Sequence, residues 1–183
     1  MSEETYAPRL YLILPATTEP SALAALLKAG DVACVAVSGS ADQARGLLAT
    51  VREADRAFVL IGSGADAARI DADGVHLVAP KDYAAARKAL GAEQICGVNA
   101  GTSMHVAMEA AEQGADYIAL SPQTDLIDFW VEAMTVPCVA WDVSDEKTAA
   151  AMVDAGADFI ALSGALATVD GVTAVQKLID AAG

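Results

Sequence analysis

Short, continuously apolar, β-rich runs alternate along this chain with segments in which apolar residues recur every three or four positions, and no linker or low-complexity stretch interrupts the alternation. The runs are "RLYLILP" from Arg9, "VACVAVSG" from Val32, "AFVLIGS" from Ala57, "GVHLVA" from Gly74, "QICGVNA" from Gln94, "DYIALSP" from Asp116, "PCVAWD" from Pro137 and "FIALSGA" from Phe159. Helical spacing follows each, as in Met104, Ala107, Met108 and Ala111, or Val175, Leu178, Ile179 and Ala182. Strands that are apolar throughout, with helices between them, imply a parallel sheet covered on its outer face, and eight such units close most naturally into a barrel. The predicted fold class is α/β, a single (β/α)8 TIM barrel with short loops over residues 9–183, preceded by an N-terminal extension at 1–8.

One phrase is written twice: "GADYIALS" at 114–121 and "GADFIALS" at 156–163. Both copies follow an Ala-rich helix and open a strand. Gly114 and Gly156 fall where a helix ends in the left-handed conformation, which glycine reaches without steric cost. Asp116 and Asp158 are expected to bond turn amides before the strand starts. A looser version, "DADGVHLVA" at 71–79, points to repetition of βα units. In a barrel these loops lie on the face opposite the active site, so the repeat is read as scaffold and function is sought at the strand carboxyl ends.

Composition narrows the partners. Of 183 residues, 55% are apolar, enough for a substantial core in one domain. The 25 acidic against 11 basic residues give a net charge of -14, which argues against nucleic acid and anionic membrane while leaving room for a small anionic ligand. No apolar stretch is long enough to span a bilayer, and "MSEETYAPRL" has neither the basic start nor the apolar segment of a signal peptide, so a cytoplasmic location is expected. Cys34, Cys96 and Cys138 are far apart in apolar runs and read as reduced, buried thiols. No nucleophile elbow, Walker loop or dinucleotide fingerprint is present.

The strand ends read "PATTE" from Pro15, "SGSAD" from Ser38, "GSGAD" from Gly62, "APKD" from Ala79, "NAGTS" from Asn99, "SPQTD" from Ser121, "DVSD" from Asp142 and "SGALAT" from Ser163, with Lys81 the only basic residue in them. An enzyme that must neutralise a pyrophosphate leaving group is poorly equipped by such ends. Asp82, Asp125 and Asp145 read as helix caps or ligands, His76 as a hydrogen-bonded core or rim histidine, and His105 as a surface or packed residue. Trp130 and Trp141 read as core packing, an apolar lid or a subunit contact.

The chain resembles the thiamine phosphate synthases and their thiazole tautomerase relatives. The resemblance runs through "RLYLI" near the start, "ADGVHL" at 72–77, "ICGVNAGTSMHVAMEAAEQGADYIALSP" at 95–122 and "AGADFIALSGAL" at 155–166. It implies a barrel that joins a pyrimidine pyrophosphate to a thiazole phosphate, with magnesium assisting departure of pyrophosphate. Position by position, the family's Gln, Arg and Lys after the second strand face Val37, Ser38, Gly39 and Ser40 here, and its Asn-Asp pair after the third faces Gly62 and Ser63. The family's magnesium-ligating Asp after the fourth strand has Asp82 as a displaced counterpart. A family Ser corresponds to Asn99, the tautomerase His falls on Gly101, and the Lys after the sixth strand is replaced within "SPQTDL". The usual Gly-Gly phosphate loop reads "VAWDVSD", and only "LSGAL" at the eighth strand end keeps the family's pattern.

The resulting expectation is a thiamine phosphate synthase-like barrel in which most family catalytic residues are replaced, so no catalytic residue is assigned. Ser163 and Gly164 are the candidates to hold a phosphate, Asn99 and Ser121 to line the mouth, and Asp82 to touch a metal, with magnesium the cofactor if the protein is active. Three hypotheses follow: a transferase with a rebuilt site, a non-catalytic relative that binds a phosphorylated metabolite, and an interaction scaffold. Family resemblance and an Ala-rich helical exterior make a homo-oligomer the expected state.

Overall fold

The computed structural model describes residues 7–183, so positions 1–6 of the expected N-terminal extension lie outside the described residues. Its strands are β1 (Arg9–Pro15), β2 (Val32–Ser38), β3 (Ala57–Ile61), β4 (Gly74–Leu77), β5 (Ile95–Gly101), β6 (Tyr117–Leu120), β7 (Cys138–Val143) and β8 (Phe159–Leu162). Each is followed in turn by a helix: α1 (Pro20–Lys28), α2 (Ala41–Glu53), α3 (Gly64–Arg69), α4 (Tyr83–Ala89), α5 (Met104–Glu112), α6 (Thr124–Ala133), α7 (Glu146–Asp154) and α8 (Val169–Ala182). Short 3-10 turns, Pro80–Asp82 and Gly164–Leu166, precede α4 and α8. The strands pair in chain order, every pair parallel, and β1 closes on β8. This is the (β/α)8 barrel that the alternation predicts.

Closure explains why the strands carry no polar face. One parity of residues, such as Leu12, Val35, Phe58 and Ile160, packs outward against helix residues including Leu23, Leu47, Ile127 and Ile179. The other parity, including Tyr11, Ala36, Val59 and Ala119, fills the barrel interior. Both sets are removed from water, so an alternating pattern would leave polar side chains buried. The three cysteines are buried and unpaired, as expected, and burial pushes the Cys34 and Cys138 thiols up to about 12. Among the described residues no helix is long and apolar enough to cross a membrane.

The repeated strand entrance takes the expected backbone form, with φ of 95° at Gly114 and 78° at Gly156, and Asp71 fills the equivalent place in the third version at 58°. The aspartates two residues later do something other than cap their own turns. Asp158 accepts the amide of Cys138 at 2.8 Å, Asp116 that of Cys96 at 2.7 Å, and Asp73 that of Phe58 at 2.7 Å. Each carboxylate therefore holds the start of the preceding strand in the barrel. Asp73 and Asp116 also donate their own backbone N–H to the carbonyl of that same residue, which closes a two-bond ring. Parallel strands all begin at one end of the barrel, so a carboxylate at the entrance of one strand lies beside the leading amide of its neighbour.

A hydrogen bond from a backbone amide to a carboxylate contributes about 1.5–3 kcal/mol. Asp158→Ala should therefore lower the urea midpoint by that amount of stability with an unchanged slope, whereas Asp154→Ala, on the exposed side of α7, should stay within about 0.5 kcal/mol of the parent. Equal behaviour of the two variants would remove the clamp.

Candidate functional site

Inside the barrel the sequence places four rings on four strands: Tyr11 on β1, His76 on β4, Tyr117 on β6 and Trp141 on β7. Gly97 on β5 makes this arrangement sterically feasible, because a Cβ there would lie 2.0 Å from the Tyr117 ring. The Tyr117 hydroxyl is 2.8 Å from the Tyr11 hydroxyl and 2.8 Å from His76 Nδ1. When Tyr117 donates to Nδ1, its oxygen is free to accept from Tyr11, and the proton of the imidazole rests on Nε2. That Nε2 is buried without a hydrogen-bond partner among the described residues. The Trp141 ring lies 3.8 Å from the imidazole at an interplanar angle of 2°, and Tyr11 meets the indole edge-on at 5.6 Å. The rings form the floor of the barrel mouth. Trp141 is partly buried in this stack and Trp130 lies on the buried face of α6 with its indole N–H donated to the Val136 carbonyl, so core packing accounts for Trp130 and interior packing for Trp141.

Above this floor the strand ends supply small polar groups. Asn99 sits at an irregularity of β5, where its Oδ1 accepts the Gly101 amide at 2.9 Å and Gly101 takes a φ of 56°. Its NH2 has no hydrogen-bond partner among the described residues. Ser121 is partly buried, with its backbone tied to Gly101 and Gln123 and its hydroxyl unbonded. Ser163 is 7% exposed and its hydroxyl is likewise unbonded. The 3-10 turn begins at Gly164, whose φ of 51° suits glycine, and the amides of Gly164 and Ala165 have no backbone acceptor. Ser144, across the gap, would meet a Cβ on Gly164 at 3.7 Å.

The three carboxylates read as caps or ligands divide. Asp145 caps α7 through the Thr148 amide at 2.9 Å, and that bond holds its carboxyl below the usual range. Asp125 lies inside the first turn of α6, and Asp82, at the end of the 3-10 turn before α4, makes no capping bond. Asp82 lines a groove of about 520 Å³ between the ends of β3 and β4, together with Ser63, Val78 and Ala79. His105 is a surface residue beside Glu109. Lys147, in the first turn of α7, adds a cation near the β7 loop that the strand-end reading stops short of, and it acts on Asp145.

The family model for thiamine monophosphate synthase matches residues 10–166, from β1 to the turn after β8. The chain belongs to this family. It is 41% identical over 182 residues to the thiamine-phosphate synthase of Rhodospirillum centenum, covering 85% of this chain and 87% of that protein. It is 36% identical over 211 residues to the thiamine-phosphate synthase of Erythrobacter litoralis, covering 98% of each. In fold it is similar to the thiamine phosphate pyrophosphorylase of Pyrococcus furiosus, with a TM-score of 0.83 and 22% identity over 97% of this chain and 98% of that one.

The magnesium that family resemblance implies finds a single carboxylate at the groove. Asp82 is exposed, and among the described residues no group of three or more His, Cys, Asp or Glu side chains is placed to hold a metal ion. Magnesium is held by carboxylates together with substrate phosphates and water, so Asp82 alone does not build a protein site for it. The stack, by contrast, draws Tyr11, His76 and Tyr117 from the phrases "RLYLI", "ADGVHL" and "GADYIALS", although no phrase by itself shows that the rings meet. Its signal in the sequence is parity: Tyr11, Tyr117 and Trp141 fall on the inward positions of their strands, where bulky rings are conspicuous among alanines and valines.

Burial pushes the His76 imidazole down from 6.5 to about 3, because the barrel interior disfavours the cation. The unfolded chain therefore takes up this proton first as acid is added. The contribution of neutral His76 is fully present above pH 6.5 and is lost as pH falls from there toward 3, at up to about 1.4 kcal/mol per pH unit. His76→Gln should flatten that part of the pH–stability curve, measured by urea unfolding between about pH 7 and about pH 4.5. An unchanged slope would show that the imidazole is not held neutral.

Proposed function

We propose that this barrel is a thiamine phosphate synthase-type transferase that joins a pyrimidine carrying a pyrophosphate to a thiazole carrying a phosphate. The family match over residues 10–166 carries this reading, supported by 41% identity to a thiamine-phosphate synthase. In the reaction the bond between the pyrimidine methylene carbon and pyrophosphate oxygen breaks, and the thiazole nitrogen supplies the electron pair for the new carbon–nitrogen bond. A positively charged carbon forms as the leaving group departs, so the site must keep water away from it. The ring-filled floor does this from below.

The thiazole phosphate is assigned to the β8 end. There the Ser163 hydroxyl and the amides of Gly164 and Ala165, which have no acceptor among the described residues, are available as donors to an anion. Asn99, through its free NH2, and Ser121, through its hydroxyl, orient the rings at the mouth. Lys81, in the 3-10 turn after β4, and Lys147, in the first turn of α7, are the cations that follow strand ends closely in sequence, and Asp142 and Asp145 at the β7 end carry the opposite charge. That sparse positive charge supports a second reading, a relative that binds a phosphorylated metabolite without turnover. A homo-oligomer belongs to the same proposal, with Phe129 and Val131 exposed on α6.

Purified protein incubated with both substrates should form thiamine phosphate above the rate of a protein-free control. Absence of product together with retained thermal stabilisation by thiazole phosphate would replace the transferase with the binding reading. Ligand at a hundred times its dissociation constant adds about 2.7 kcal/mol, equivalent to several degrees of Tm in a domain of this size. Ser163→Asp sets a carboxylate against the bound anion and should abolish the stabilisation by thiazole phosphate. An unchanged shift in that variant would remove Ser163 from the site.

A further inference from the structure

After Ala140 strand β7 bulges away from its neighbours before Val143 rejoins β8. Pairing of β7 with β6 ends at Leu120 and Ala140, and its pairing with β8 slips between Ala140 and Val143. Trp141 and Asp142 occupy that gap. Asp142 has a φ of 66°, a left-handed conformation that side-chain-bearing residues adopt at a cost. The indole is therefore carried on a strained bulge without a regular ladder on either side, at the mouth end of the barrel.

What the indole covers is the imidazole of His76. His76 has no exposed surface, its Nε2 has no partner, and the indole lies flat on it at 3.8 Å. Trp141 gives this ring a face and no hydrogen bond. Tyr11 stands edge-on beside the indole and Tyr117 holds the far side of the imidazole through Nδ1, so the space on His76 admits only a flat group. A flat aromatic ring that took the indole's place would give the imidazole the same face-to-face contact that Trp141 now supplies.

We propose that Trp141 is a specificity-determining residue of this mouth: its indole occupies the slot on His76 that the flat nitrogen heterocycle of the substrate takes, and it swings out on the bulge when that ring enters. The occupant is an aminopyrimidine, the polar-edged ring of the transferase reading, on which this inference rests. No covalent step is involved. The indole competes with the substrate ring for one aromatic face, so binding is weakened by the stack that must be given up.

The probe is the unphosphorylated aminopyrimidine alcohol, which tests the slot without the phosphate site or turnover. Trp130→Phe leaves Trp141 as the only tryptophan, since the chain has two. Saturating aminopyrimidine should shift the emission of this variant to the red and increase its quenching by acrylamide. Trp141→Leu should bind the same compound about tenfold more tightly, as expected when one aromatic stack no longer has to be displaced. If either variant fails to fold, the native sequence labelled with 5-fluorotryptophan reports the same event by 19F NMR, as movement of one of two resonances, while native protein against Trp141→Phe gives the affinity comparison. Binding that leaves the Trp141 signal unchanged, or absence of binding to every variant, overturns the proposal. Displacement of Trp141 without thiamine phosphate formation would sink the transferase reading alone, and turnover with an unmoved Trp141 would sink this inference alone.

Discussion

A closed barrel of eight parallel strands has an interior that must be filled from the strands themselves, and the rest of this structure depends on how that is done. Small barrels are packed cores, with inward residues stacked in layers. Here Ala36, Ala119 and Ala161 are too small to fill the space, and Tyr11, His76, Tyr117 and Trp141 make up the volume. Rings carry polar atoms, which a dry interior tolerates only when they are paired. The contacts of Tyr117 with Tyr11 and His76 meet most of that demand and leave one nitrogen over. The same set of side chains thus closes the core below and forms the floor of the mouth above.

The two ends of the barrel are built on different rules. At the strand entrances, charge is used to hold backbone: Asp73, Asp116 and Asp158 each bind a neighbouring strand's amide, and Arg87 pairs with Asp116. At the strand exits, hydroxyls, one carboxamide and amides without acceptors stay available. Stability and ligand chemistry are separated along one axis. A repeated strand entrance therefore suits a barrel in which the exits diverge, because a change at an exit leaves the clamps untouched.

Local features of the candidate site were legible where they depend on neighbours in sequence. Gly114 and Gly156 could be assigned left-handed backbone because a helix ends and a strand begins within a few residues. Asp145 could be read as a cap because its target, Thr148, is three residues away. The same reasoning gives Asp116 and Asp158 the wrong donor, since the amides they accept, those of Cys96 and Cys138, lie twenty residues away on another strand. It leaves Asp82 and Asp125 open between cap and ligand, and the 3-10 turn and the early start of α6 move both off the capping geometry.

The fold class and the order of its elements were contained in the sequence by itself, because the periods of apolar residues are set by the geometry of a single strand or helix and need no partner to be read. The family likeness was contained there as well, in phrases that run along the chain. Which rings meet was decided only by tertiary structure. His76 and Tyr117 are 41 residues apart, and their contact follows from the tilt and stagger at which eight strands close. A shift of one residue in any pairing would turn Trp141 or His76 outward among the helices, so the stack exists only once the barrel has closed in this register.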